Sequence, residues 1–215
     1  MNVDCSGATC VVVVVRNQEL TVAHCGDSRC VLGRRSSMTG GGYHDIALTI
    51  DHKPDVPEEL RRIIGCGGQV GSRQFVSQGG DRHPGRVTLG PCRVWYRYGA
   101  DKLGLAMSRS LGDAVVHRVG VSAEPTLLHQ PLDENGRDEF LILATDGLWD
   151  VVDSAQATRC VGSMIARAEA EGADWSPHEA SLQLAQLARR RWETVSPMID
   201  DITVLVVKLR VLHTK

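Results

Sequence analysis

The chain has 215 residues, 42% of them hydrophobic and 23% charged, the balance of an ordinary globular protein, which excludes a disordered tail, a collagen-like rod and a coiled coil. Lys and Arg number 24 against 26 Asp and Glu, for a net charge of −2; a chain so balanced is not built to neutralise a phosphate backbone over a broad face, so no nucleic-acid partner is expected. Aromatic residues are only 4%, so the core has to be built from Val, Leu, Ile and Ala.

In chain order, residues 8–15 are β-branched and continuous, and read as a strand buried on both faces. Residues 20–25 and 29–32 flank the polar turn Gly26-Asp27-Ser28 and read as a hairpin. Residues 34–42 are rich in Gly and Ser and read as a loop, followed by a strand over 46–50. A short helix is expected over 55–64, with Asp55 as its cap, Glu58 three residues on, Pro57 in the first turn and Gly65 with Gly67-Gly68 as the stop. Residues 71–103 carry many glycines and the arginines Arg73, Arg82, Arg86, Arg93 and Arg97; they read as an irregular Arg-rich insertion within a single domain over 1–215. Residues 140–145 form a clear buried strand. A helix over Ser154–Ala170 has Val161, Met164, Ile165 and Ala168 at helical spacing. The next has Ser176 as N-cap, Pro177 first and Glu179 completing a capping box, with Ala180, Leu184, Leu187 and Ala188 on its apolar face. Residues 202–209 close the pattern as a strand. Runs of antiparallel strands with a sequential helix pair give an α+β fold, sheet against helices.

No apolar run approaches the roughly 18–20 residues of a membrane helix, and residues 1–4 read as neither a secretory signal nor a transit peptide. The expectation is an intracellular protein, in cytoplasm or nucleus, without a membrane span. The 7 cysteines (Cys5, Cys10, Cys25, Cys30, Cys66, Cys92 and Cys160) are odd in number and form no C-x-x-C. Zinc ligation and a disulfide framework are therefore not expected, and buried free thiols in a reducing compartment are.

Three carboxylates share one local setting. Asp27 follows the strand 20–25, Asp146 follows the strand 140–145 and precedes Gly147, and Asp200, beside Asp201, precedes the strand 202–209. Side chains at strand ends can project into one cleft, where their charges repel unless a cation joins them. Oxygen ligands without Cys or His at ligand spacing suit Mg²⁺ or Mn²⁺. Taken singly, an Asp in such a place is more often a turn residue bonding nearby amides; the shared placement at strand ends is what points to a metal.

These turns lie in strings that resemble the metal-dependent serine/threonine protein phosphatases of type 2C. In family order they are Ser6-Gly7-Ala8-Thr9, then V-A-H-C-G-D-S-R from Val22, and L-T-I-D-H-K-P from Leu48 with Glu59, Arg62, Ile63 and Gly67-Gly68. G-L-A-M-S-R-S-L-G-D from Gly104, E-F-L-I-L-A-T-D-G-L-W-D from Glu139 and D-D-I-T-V from Asp200 follow. The resemblance runs from about Ser6 to Leu209. It implies a central antiparallel β-sandwich flanked by helices, a four-layer αββα fold. It further implies two or three Mg²⁺ or Mn²⁺ ions whose bridging water attacks a phosphoserine or phosphothreonine of a phosphoprotein substrate. By motif, Asp146 and Asp200 are metal ligands and Asp27 belongs to a weaker third position, with Asp113, Arg109 and Gly147 near the site. The family's upstream Arg and its Asp-Gly-His-Gly-Gly motif do not occur here. No catalytic residue is identifiable in this chain, and the expectation is a phosphatase truncated at its N-terminus, lacking the N-terminal strands and helix and inactive as given. The alternative is a non-catalytic pseudophosphatase that binds phosphoproteins or regulates a relative.

Overall fold

The computed structural model describes residues 3–38, 41–76 and 86–209. Its elements are β1 (Gly7–Ala8), β2 (Cys10–Arg16), β3 (Glu19–Cys25), β4 (Arg29–Arg35), β5 (Tyr43–Ala47), α1 (Pro57–Gly65), β6 (Gln69–Val76), β7 (Arg86–Tyr98) and β8 (Asp101–Leu105). There follow β9 (Leu111–Gly112), α2 (Ala114–His117), β10 (Thr126–Pro131), β11 (Asp138–Ala144), α3 (Asp146–Trp149), α4 (Ser154–Ala170), α5 (Pro177–Val195) and β12 (Val204–Lys208). The described residues fall into two compact units, interleaved along the chain.

One unit draws on Val11–His24, Ser28–Ile50 and Thr126–Lys215. It contains two sheets, β10-β3-β2 and β12-β11-β4-β5. Period-two alternation sorts the side chains. Val11 and Val13 of β2, Leu20 and Val22 of β3, Cys30 and Leu32 of β4 and Leu141 of β11 meet in one core between the sheets. The opposite face of the second sheet, with Val31, Phe140, Ile142, Ala144 and Val206, meets α3, α4 and α5 through Leu148, Trp149, Val161, Ile165, Ala180, Leu184 and Ala188. Each Val, Leu, Ile or Phe among them, fully buried, stabilises by about 1.5–3 kcal/mol against leaving it in water. Strand β11 pairs with β12 on one edge and β4 on the other, and its two faces meet the helices and the core between the sheets, which is why its sequence is apolar without alternation. Helix α4 is capped by Asp153, whose carboxylate accepts from Gln156 N at 2.7 Å, and α5 by Ser176, whose hydroxyl accepts from Glu179 N at 3.2 Å.

The other unit draws on Met1–Cys10, Cys25–Asp27 and Asp51–Pro125. Its antiparallel sheet β6-β7-β8 and helix α1 bury Ile63, Val94, Val116 and Val121 together. Strand β1 pairs with β9, Gly7 opposite Gly112.

Antiparallel sheets with helices on a sheet face match the α+β expectation, and several local expectations are corrected. β3 and β4 do not pair as a hairpin; they belong to different sheets. Both strands direct apolar residues into the same core, so they face one another across it, and Gly26 at φ 105° makes the crossing. β2 is an edge strand with one solvent face, Val12 49% and Val14 52% exposed; a run of valines does not reveal which of them reach a core. Helix α1 is preceded by Val56, without a side-chain cap, rather than by Asp55. Pro57 at the first position holds its predecessor extended and leaves Asp55 one residue too early. The strand expected over 46–50 lies earlier, at Tyr43–Ala47. The segment 71–103 is not irregular where described: it supplies most of β6, β7 and β8, with 77–85, Arg82 included, outside the described residues. All seven cysteines are free, but only Cys25 and Cys30 are buried, while Cys5 and Cys66 are exposed. Among the described residues no helix is long and apolar enough to cross a membrane.

Gly33 of β4 lies opposite Phe140, and a Cβ there would stand 2.1 Å from the ring. Phe140 is held in turn by Tyr43 and Trp175, at ring-centroid distances of 5.2 and 6.2 Å. Gly33→Ala is therefore expected to destabilise the protein by about 1–3 kcal/mol through overpacking, read as a lower urea midpoint with unchanged slope.

Candidate functional site

The turn that carries Asp27 is fixed from two sides. Gly26 takes a left-handed conformation that leaves room for Thr9, whose Cγ2 would lie 2.3 Å from a Cβ. His52, itself buried, clamps the same residue: its N–H donates to the Gly26 carbonyl at 3.0 Å, and its Nδ1 accepts from Gly26 N at 3.1 Å. Because Nδ1 accepts, the neutral ring carries its proton on Nε2. Asp27 is only 2% exposed and its Oδ2 takes an ion pair from Lys53.

Behind this turn lies a buried charge network. Glu59, 2% exposed, accepts from Arg62 through both oxygens at 2.9 and 2.7 Å, from Arg109 Nη2 at 2.6 Å and from Ser108 Oγ at 2.5 Å. Burial alone would push the Glu59 carboxyl up; the hydrogen bonds from Arg109, Arg62 and Ser108 outweigh it and hold the group well below the usual carboxylate range. Arg62 also donates to the Ser108 carbonyl, and Ser108 N donates to the His52 carbonyl, both at 2.8 Å. The network thus reaches the Asp27 turn through Ser108 and His52. Arg109 also donates to the Glu124 carbonyl at 2.9 Å. Asp113, left-handed at φ 49°, lies against Gly7, where a Cβ would meet its Oδ2 at 1.9 Å; its N–H donates to Ser6 O at 3.0 Å.

In the sandwich unit the pairing of β11 with β12 sets Ala144 opposite Val204, so the residues following one strand run beside those preceding the other. Thr145 N donates to Thr203 O, Thr203 N to Thr145 Oγ1 and Thr145 Oγ1 to Asp201 O, each at 3.1 Å. Gly147 admits the approach: a Cβ there would stand 2.3 Å from Asp201 O. Its own carbonyl accepts from Trp192 Nε1 of α5 at 2.7 Å. Asp146 is thereby held as the first residue of α3, half-buried, with the exposed Asp200 on the adjoining segment, its Oδ1 accepting from Asp201 N at 2.8 Å.

The structure therefore brings the Asp146 and Asp200 segments together within one unit, while Asp27 belongs to the other and is paired with Lys53. Carboxylate oxygens are the donor type a hard divalent ion takes. Among the described residues, however, no group of three or more His, Cys, Asp and Glu side chains is placed to hold a metal ion. His52, Lys53, Glu59 and Arg62 had no role assigned from the sequence; their signal was their place in the one string that starts at Leu48.

Glu59 stabilises only while ionised. Its carboxyl titrates lower in the folded than in the unfolded chain, so its contribution is full above the unfolded value near pH 4.3 and fades as the pH falls below it. Glu59→Gln is expected to lower stability at neutral pH by about 3–5 kcal/mol. The gap to wild type should narrow between pH 6 and pH 3 in urea titrations.

The family model for Protein phosphatase 2C matches residues 1–194 of this chain. Probable protein phosphatase 2C 64 of Oryza sativa subsp. japonica is 38% identical over 207 residues, 95% of this chain and 42% of that protein. Probable protein phosphatase 2C 52 of Arabidopsis thaliana is 34% identical over 203 residues, 94% of this chain and 38% of that protein. The chain spans less than half the length of these curated relatives. The crystal structure of serine-threonine phosphatase 2C from Toxoplasma gondii aligns with a TM-score of 0.70 at 26% identity, over 96% of this chain and 60% of that one. With its antiparallel sheets, its interlocked strand ends and a match over most of its length, the chain belongs to the protein phosphatase 2C family.

Proposed function

We propose that this chain carries part of a metal-dependent protein serine/threonine phosphatase, a hydrolase that removes phosphate from phosphoserine and phosphothreonine of protein substrates with a metal-activated water. The observation that carries this reading is the interlock of residues 145–147 with 201–203, which sets Asp146 and Asp200 on adjoining segments. In this reading Asp146 and Asp200 hold Mg²⁺ or Mn²⁺ through hard carboxylate oxygens. Such an ion, when bound, lowers the pKa of its water towards neutrality and supplies the nucleophile. The chain's own part is to fix the ligands. Thr145 ties the two segments together, Trp192 holds Gly147 from α5, and Gly147 leaves the space a side chain would fill. Asp27 is a third carboxylate, its charge answered by Lys53. Arg109, through Glu59, belongs to the network that reaches the Asp27 turn, and Asp113 braces the Ser6-Gly7 segment.

Calorimetric titration with Mn²⁺, run beside Mn²⁺-dependent phosphate release from a phosphothreonine peptide, tests the proposal. Replacing an outer neighbour of a metal ligand weakens binding about 10–100-fold, so Asp146→Asn, which removes a ligand, is expected to lose at least that much, and any Mn²⁺-dependent release should go with it. Equal affinity and equal release in the two proteins would overturn the reading. Metal binding lost in the variant, with no release from either protein, would favour the non-catalytic phosphoprotein-binding module.

A further inference from the structure

The link between β2 and β3 is two residues long, Asn17 and Gln18, both left-handed at φ 50° and 60°. A tight turn of this kind joins adjacent antiparallel strands in a fixed register, and β2 and β3 are neighbours in their sheet. Arg16 then lies opposite Glu19. Counting back one for one sets Val13 opposite Val22, Val11 opposite His24 and Cys10 opposite Cys25. Burial supports this register, because Val11 and Val13 join Leu20 and Val22 in one core, while Val12 and Val14 face the other way. Cys10 and Cys25 share that second face at the common end of the two strands. Residues directly opposite in an antiparallel pair have Cα atoms about 4.5–5.5 Å apart, within the roughly 4.4–6.8 Å that a disulfide spans.

We propose that Cys10 and Cys25 form a dithiol site that hydrogen peroxide converts into an intramolecular disulfide. Cys10 is half-buried and reachable by peroxide; Cys25 is 3% exposed. Cys10 is the more exposed of the two, so its sulfur is the one that meets the peroxide. Its sulfur takes one peroxide oxygen as the O–O bond breaks, giving a sulfenic acid and a first water. Cys25 sulfur then attacks the sulfenic sulfur; the S–S bond forms, the S–O bond breaks, and the departing oxygen leaves as a second water with the Cys25 proton. Two thiols and one peroxide become one disulfide and two waters. The Cys25 Sγ contact with Ser122 O, 3.9 Å, loses its donor in the process. The link falls immediately before Gly26-Asp27, so the oxidised strand ends are tied where the clamped turn begins.

The test is peroxide treatment of the full chain at low protein concentration. Free thiols are then blocked with N-ethylmaleimide in denaturant, and tryptic peptides are mapped by mass spectrometry. The expected main product is a Cys10–Cys25 link within one chain, short of two hydrogens, with a yield that does not fall on dilution. Cys66, exposed and without an opposing cysteine, serves as a comparison, oxidised but not linked. Cys10→Ser should leave Cys25 reduced, and Cys25→Ala should carry Cys10 on to sulfinic acid. Because replacing the buried Cys25 can disturb folding, Cys10→Ser and the wild-type map decide between outcomes. A wild-type chain in which Cys10 reaches sulfinic acid without linking, in which Cys25 pairs mainly with another cysteine, or in which links join separate chains overturns the proposal.

Discussion

The double pairing of β11 is the constraint on which the sandwich unit depends. A strand with partners on both edges leaves no backbone group to water, so both its faces can be apolar. Phe140, Ile142 and Ala144 face the helices while Leu141 joins the core between the sheets. This fixes register as well as burial. Slipping β11 by one residue would exchange its two faces and place Phe140 away from the gap at Gly33. Since Asp146 follows two residues after β11 ends, its position is set by packing well away from it.

The two units stabilise their carboxylates by different physics. Asp146 and Asp200 sit at strand ends with at least partial access to water, and the backbone bonds around them order the chain rather than neutralise the charge. Glu59 and Asp27 are almost wholly buried, and a buried carboxylate without compensation costs several kcal/mol. Glu59 meets two guanidinium groups and a hydroxyl, in keeping with arginine's fixed fork and readiness to pair away from water. The return is geometric, since Arg62 and Ser108 hold His52, which holds Gly26.

Elements whose cause is local were legible in the sequence. Ser176 with Pro177 defines the start of α5, and the buried run at β11 needs no knowledge of distant residues. Features decided by distant partners were not legible. The turn Gly26-Asp27-Ser28 looks the same whether its flanking strands pair edge to edge or face one another across a core. The valines of β2 look the same whether both faces or one are covered. The arginine-rich segment looked irregular because its core contribution is a single alternate set, Val94 and Tyr96 among arginines and glycines. Within the candidate site, the placement of Asp146 and Asp200 at strand ends could be read from the sequence. Glu59 could not, because a Glu in the first turn of an amphipathic helix is ordinarily solvated, and only tertiary packing makes it a buried hub.

Asp27 shows how placement at a strand end and availability for a ligand differ. All three carboxylates flank strands, yet Asp27 alone is fully buried among them. Buried as it is, its charge needs a cation beside it, and Lys53 from the segment after His52 provides one. Lysine suits this place better than arginine would. Its ammonium is a compact charge on a flexible stem that can change direction without breaking a bidentate fork. His52 and Lys53 are adjacent, so the residue that clamps the turn and the residue that neutralises it arrive together. Any cation that approaches Asp27 meets a carboxylate already ion-paired, whereas one that approaches Asp200 meets an exposed group.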